Sequence, residues 1–115
     1  MRSSQTFSAL RDIKDNIELA HTFTAGLTLA TFTADRKTVY AVIRCLEIIS
    51  EASRRLPVDL KERHPGIPWS DIAGAGSIYR HGYQLVRDDV LWVTVQESLA
   101  ALLIEVELEL ARQGG

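Results

Sequence analysis

The chain has one cysteine, one methionine, three prolines and three histidines in 115 residues. A single thiol, Cys45, permits no internal disulfide and no multi-cysteine zinc site within one chain. It sits in the apolar run Val42-Ile43-Arg44-Cys45-Leu46, so a buried structural thiol is expected rather than a nucleophile. Charge of one sign is also lacking. There are 13 Lys and Arg against 15 Asp and Glu, a net charge of −2. A duplex-DNA binder normally carries a basic face, and this balance argues against one. No apolar run approaches the ~20 residues that span a bilayer. The polar start Met1-Arg2-Ser3-Ser4-Gln5-Thr6 carries no apolar leader, so a cytoplasmic protein without a membrane partner is expected.

Repeats, low-complexity tracts and linkers are absent as well. A hydrophobic share of 46% and a charged share of 24% are ordinary for a globular protein. On length, residues 1–115 are expected to form a single domain with one modest core.

The apolar residues recur at helical period. A first helix is predicted from about Ser4 to Thr24, with Phe7, Leu10, Ile13 (or Lys14), Ile17, Ala20 and Phe23 as its stripe. Gly26 ends it. Thr28 then caps a short helical turn through Phe32. A second long helix starts near Asp35, and Pro57 stops it. Its broad apolar face holds Val39, Val42, Ile43, Leu46, Ile48, Ile49, Ala52 and Leu56. The Pro57–His64 segment reads as a short helix ended by Pro65-Gly66. Pro68 opens another short helix with Trp69 turned inward. The last helix runs from about Asp88 to Arg112, capped by Asp88 or Asp89, with a fraying end. No period-2 strand is evident. The predicted fold is an all-α, up-and-down bundle of four or five helices.

Chemistry concentrates in Pro68-Trp69-Ser70-Asp71-Ile72-Ala73-Gly74-Ala75-Gly76-Ser77-Ile78-Tyr79-Arg80-His81-Gly82-Tyr83. The imidazole of His81 can take and give a proton near neutral pH. Arg80 beside it offers a planar fork of donors to phosphate oxygens. Gly74-Ala75-Gly76-Ser77 is not a phosphate loop, since no Gly-Lys-Ser/Thr follows. Its small residues instead suit a close helix–helix approach. His21 and His64 are isolated in sequence, with no His-x-x-x-His spacing. No metal and no cofactor are expected.

These residues resemble the HepT-like branch of the HEPN superfamily, the RNase toxins of HepT/MntA type toxin–antitoxin systems. Ile48-Ile49-Ser50-Glu51-Ala52 is similar to that family's Ile-Gly-Glu-Ala segment. Ile67-Pro68-Trp69 followed by Ile72-Ala73-Gly74 resembles its Pro-x-x-Trp…Ile-x-Gly element. His81-Gly82-Tyr83 resembles its His-x-Tyr, and Val90-Leu91-Trp92 the Val-Trp that opens its last helix. The ordered match covers about residues 7 to 106.

The resemblance implies a HEPN-like bundle that dimerises through its helices, with a metal-independent RNase site at the dimer interface. It implies RNA as substrate, with tRNA as one candidate class, and a minimal nucleotidyltransferase antitoxin as partner. In the family the site is an Arg, four to six residues, then a His, commonly Arg-Asn-x-x-x-His. Aligned on His81, the Arg falls on Gly76 and the Asn on Ser77. The expected roles are therefore His81 as general base or acid and Arg80 as phosphate clamp. Tyr83 is the implied point of AMPylation. Ser77 and Glu51 are expected as supporting residues. Glu51 either holds Arg80 or His81 by an ion pair or forms a plain surface pair with Arg54 or Arg55. Neighbouring helix positions lie ~100° apart, so Arg80 is not expected to point where a residue at 76 would, unless the helix ends near Gly82 or a partner subunit presents it. With Gly76 in the motif position, the alternative function is an inactive binding subunit of the nucleotidyltransferase.

Overall fold

A computed structural model describes residues 2–114, with the side chains of Arg2 and Ser3 outside the description. Among the described residues the chain is helical throughout, with no strand. The helices are α1 (Arg2–Thr24), α2 (Leu29–Ala34), α3 (Arg36–Arg54), α4 (Val58–Glu62), α5 (Trp69–His81), α6 (Asp88–Val93) and α7 (Leu99–Gly114). A 3-10 turn over Tyr83–Leu85 follows α5. A π-helical turn over Thr94–Ser98 joins α6 to α7 in one rod. This is the expected all-α bundle. The end of α7 differs from the expectation: it stays helical to Gly114.

The caps show why the chain folds this way locally. Gly26 takes a positive φ of 78° just past α1, a conformation that L side chains rarely adopt. Thr28 caps α2, and Thr31 bonds back to the Thr28 backbone, closing a capping box. Asp35 caps α3 through the Thr38 N–H. The expected cap of the last rod is not found. Arg87 occupies the N-cap without a side-chain bond. Asp88 instead accepts from Arg36 at 2.7 Å, and Asp89 pairs with Arg87. Both carboxylates lie in the first turn, where negative charge still suits the helix dipole.

The core gathers one face of each long helix. Val39, Val42, Ile43, Cys45, Leu46, Ile49 and Ala52 of α3 meet Leu10, Ile13, Ile17 and Ala20 of α1 and Leu91, Val95, Leu99, Leu102 and Val106 of the last rod. Cys45 is buried, and burial pushes its thiol pKa up, away from nucleophilic use. The stripe of α1 is rotated from the expected one. Thr6, Ala9 and Thr24 are buried, while Phe7 and Phe23 are exposed. Thr24 can be buried because its hydroxyl donates to the Ala20 carbonyl at 2.9 Å. Lys14–Glu107 and His21–Val95 contacts set α1 antiparallel to the last rod.

Two expected bystanders prove to be structural ties. His21 Nε2 lies 2.9 Å from the Val95 carbonyl inside the π turn. His64 is buried, with Nε2 at 2.6 Å from Glu109 Oε2 and Nδ1 at 3.6 Å from Glu105. Arg63 donates twice to the same Glu109 carboxylate, at 3.1 and 2.8 Å. The Arg63 hydrogen bonds, then that of His64, hold the Glu109 pKa down at about 2 against desolvation. The His64 carbonyl accepts from the Trp69 indole at 3.1 Å, so this cluster anchors the start of α5.

Candidate active site

The position of α5 is decided where it crosses α3. Gly76 is buried, and a Cβ built on it would collide with Ser50 Oγ. Ser50 donates to the Ala73 carbonyl at 3.1 Å, and Arg54 to the same oxygen at 2.8 Å. The small residues of α5 thus bring it close to α3 within one chain. Gly74, by contrast, meets nothing within 4 Å. The Gly of the Ile-Gly-Glu-Ala pattern is Ser50 here, and the motif Arg is Gly76. In this chain the small residue that the crossing needs is Gly76 of α5.

Beside the crossing lies a polar groove of about 410 Å³, walled by Ser50, Glu51, Arg54, Gly76, Ser77 and Arg80. Arg80 reaches it from the same face as Gly76. The two residues are four apart, about 40° on a helix of 3.6 residues per turn, so they share a face. Arg80 and position 76 therefore line the same groove, and the ~100° offset separates Arg80 from His81. The helix also ends at His81, with Gly82 as its cap.

Arg80 is held by two carboxylates of α3. Its Nε donates to Glu47 at 3.0 Å, and its Nη2 lies 3.6 Å from Glu51. The expected Glu51–Arg80 pair is thus present. The rival pairs are not, since Arg54 bonds Ala73 and Arg55 bonds Asp12 at 2.7 Å. Sequence reasoning missed Glu47. It also bonds Arg44 at 3.1 Å, and these guanidiniums, Arg80 first, hold its pKa below the ordinary carboxylate value. The signal available was spacing: Glu47 lies one turn before Glu51 on the same face.

His81 is exposed at the C-terminal end of α5 and makes no hydrogen bond or ion pair with the described residues. Tyr83 is 43% exposed and stands edge-on to Tyr40, with ring centroids 5.7 Å apart. Ser77 is exposed on the groove wall. Tyr79 is half-buried against the core, and burial raises its pKa. Trp69 and Trp92 also pack there, Trp92 on Phe32 at 5.4 Å. The structure thus brings Arg80, Glu51 and Ser77 to one groove, while His81 and Tyr83 are exposed and outside its lining.

A second cleft of about 390 Å³ lies between α3, α5 and the π turn. It is apolar, and Asp71 is the only charged residue on its wall. It offers no pair of groups for acid–base chemistry. Among the described residues, no group of three or more His, Cys, Asp or Glu could hold a metal ion. No helix there is long and apolar enough to cross a membrane.

This geometry has relatives. The sequence profile described as ribonuclease HepT-like matches residues 13–108. A protein of Thermococcus cleftensis described as a probable ribonuclease HepT is 45% identical over 93 residues, covering 81% of this chain and 84% of that protein. A candidate RNase of Methanocaldococcus jannaschii is 35% identical, covering 86% of this chain and 91% of its own. Another, from Caldanaerobacter subterraneus, is 33% identical over 71% of this chain and 73% of its own. No solved structure gave a significant match. The chain belongs to the ribonuclease HepT-like family.

Proposed function

We propose that the protein is a metal-independent endoribonuclease, the toxin of a HepT/MntA type pair, acting as a homodimer whose two His81 residues face one RNA strand. The observation that carries this reading is Arg80. It projects into the groove that position 76 faces, next to an exposed and unpaired His81. In the reaction, one His81 takes the proton of the ribose 2′-OH. The 2′-oxygen bonds to the adjacent phosphorus, and the bond from phosphorus to the 5′-oxygen breaks. The partner subunit's imidazolium protonates that leaving oxygen. The products are a 2′,3′-cyclic phosphate and a 5′-hydroxyl. Arg80 carries the charge that gathers on the phosphate oxygens. Glu47 and Glu51 position its guanidinium.

The relatives' ribonuclease names support RNA as the substrate class, with tRNA as the first pool to try. Inhibition follows from Tyr83. A minimal nucleotidyltransferase partner attaches AMP to its exposed hydroxyl, adding bulk and negative charge beside His81. One observation favours the second reading, an inactive subunit binding that partner: Arg80 is already engaged by two carboxylates.

The test is cleavage of a labelled tRNA pool in EDTA by the wild type and His81→Ala. Cleavage by the wild type alone supports the nuclease. No cleavage, or equal cleavage, leaves the binding subunit.

A further inference from the structure

The exposed side of α3 carries a pattern that the groove does not use. Arg36, Tyr40 and Arg44 are spaced by four residues and form one stripe. The Arg36 guanidinium stands 6.0 Å from the centre of the Tyr40 ring. Tyr40 is 53% exposed and meets Tyr83 across the helices. The two half-exposed tyrosines together leave ring surface open to a flat apolar group. Arg44 pairs only with Glu47, a carboxylate it shares with Arg80, whereas Arg80 also has Glu51 at 3.6 Å. Arg44 is the more exposed of the two guanidiniums. An aromatic pair beside a largely exposed guanidinium on a shared carboxylate, about one helical turn apart, suits a nucleobase followed by its phosphate.

We propose that Tyr40, Tyr83 and Arg44 form a binding track for single-stranded RNA, with one unpaired base against the tyrosine pair and one phosphate on Arg44. The choice of RNA rests on the ribonuclease reading. The track feeds the strand toward Arg80 and His81. It lies on α3, outside the motif of α5, and adds affinity without taking part in bond breaking.

The experiment is fluorescence anisotropy with a short labelled 2′-O-methyl oligoribonucleotide, which cannot be cleaved. Tyr40→Ala is expected to weaken binding roughly 10-fold, within the range measured for losing one base stack. Tyr40→Phe keeps the ring and stays within about 2-fold of wild type. Arg44→Ala lowers the slope of log affinity against log salt by about 0.7, the value for one phosphate of a single strand. Tyr40→Ala binding like the wild type, or no binding by the wild type, overturns the track. AMP alone binding as tightly as the oligonucleotide, without dependence on Arg44, makes this a mononucleotide pocket and also overturns it. So does a Tyr40→Ala protein that loses self-association but binds RNA unchanged. Cleavage of unmodified RNA, run in parallel with His81→Ala, separates the two ideas. Tyr40-dependent binding without cleavage sinks the nuclease but keeps the track. His81-dependent cleavage with Tyr40-independent binding does the reverse.

Discussion

The molecule holds two clusters built from the same parts, arginines around a glutamate, and they serve different ends. At Glu109 the carboxylate is almost wholly buried, and Arg63 and His64 close on it from α4 and its C-terminal end. At Glu47 the carboxylate is near the surface, and Arg44 and Arg80 reach it from water. Burial makes the first a fixed joint, because parting its members strands a charge in a poor solvent. The second is looser, because its two guanidiniums are 66% and 48% exposed and water screens each pair. The lesson is that burial, more than residue type, decides how firmly an ion pair holds the fold.

Breaking the buried joint should have the largest effect. Glu109→Ala is expected to cost about 3 kcal/mol of stability, read by denaturant melting. The same carboxylate sets an acid limit. Its folded pKa is depressed to about 2, so its contribution is complete above its ordinary value of 4.5 and is lost as pH falls toward 2. A melt series over that window should show the wild type losing stability faster than Glu109→Gln.

Next comes the helix crossing. Gly76→Arg restores the motif residue but drives its Cβ into Ser50, at a cost of about 2 kcal/mol for overpacking. Adding Ser50→Gly should recover most of that, whereas the two substitutions would simply add if the contact were unimportant. The smallest effect belongs to the exposed cluster. Glu47→Gln should change stability by less than about 1 kcal/mol. It should nevertheless lower RNA cleavage, because Arg80 loses its positioning partner. An equal loss of stability at Glu47 and Glu109 would erase the distinction between the clusters.

Much of this was legible in the sequence, for stated reasons. Helix spans follow from apolar spacing and from Asp35, Thr28, Gly26 and Pro57, whose effects act within a few residues. Cys45 and Trp69 read correctly because their neighbours in the chain are also their neighbours in space. The partnerships that define the site were not legible. Glu47 meets Arg80 across 33 positions and His64 meets Glu109 across 45, and no local pattern encodes such pairs. The π turn is equally silent, since Thr94–Ser98 has an ordinary helical composition. The absence of the motif Arg read as damage from sequence alone. In the fold, Gly76 is the small residue that the crossing needs, and Arg80 is the guanidinium on the same face.

That substitution of Arg80 for position 76 is the central claim, and one assay tests it most directly. Metal-free RNA cleavage is compared for wild type, Arg80→Ala and the triple variant Ser50→Gly/Gly76→Arg/Arg80→Ala. The account predicts a loss of about 100-fold or more in Arg80→Ala, as for removal of one donor to a developing anion, and substantial recovery in the triple variant. An Arg80→Ala protein that cleaves like the wild type would contradict it.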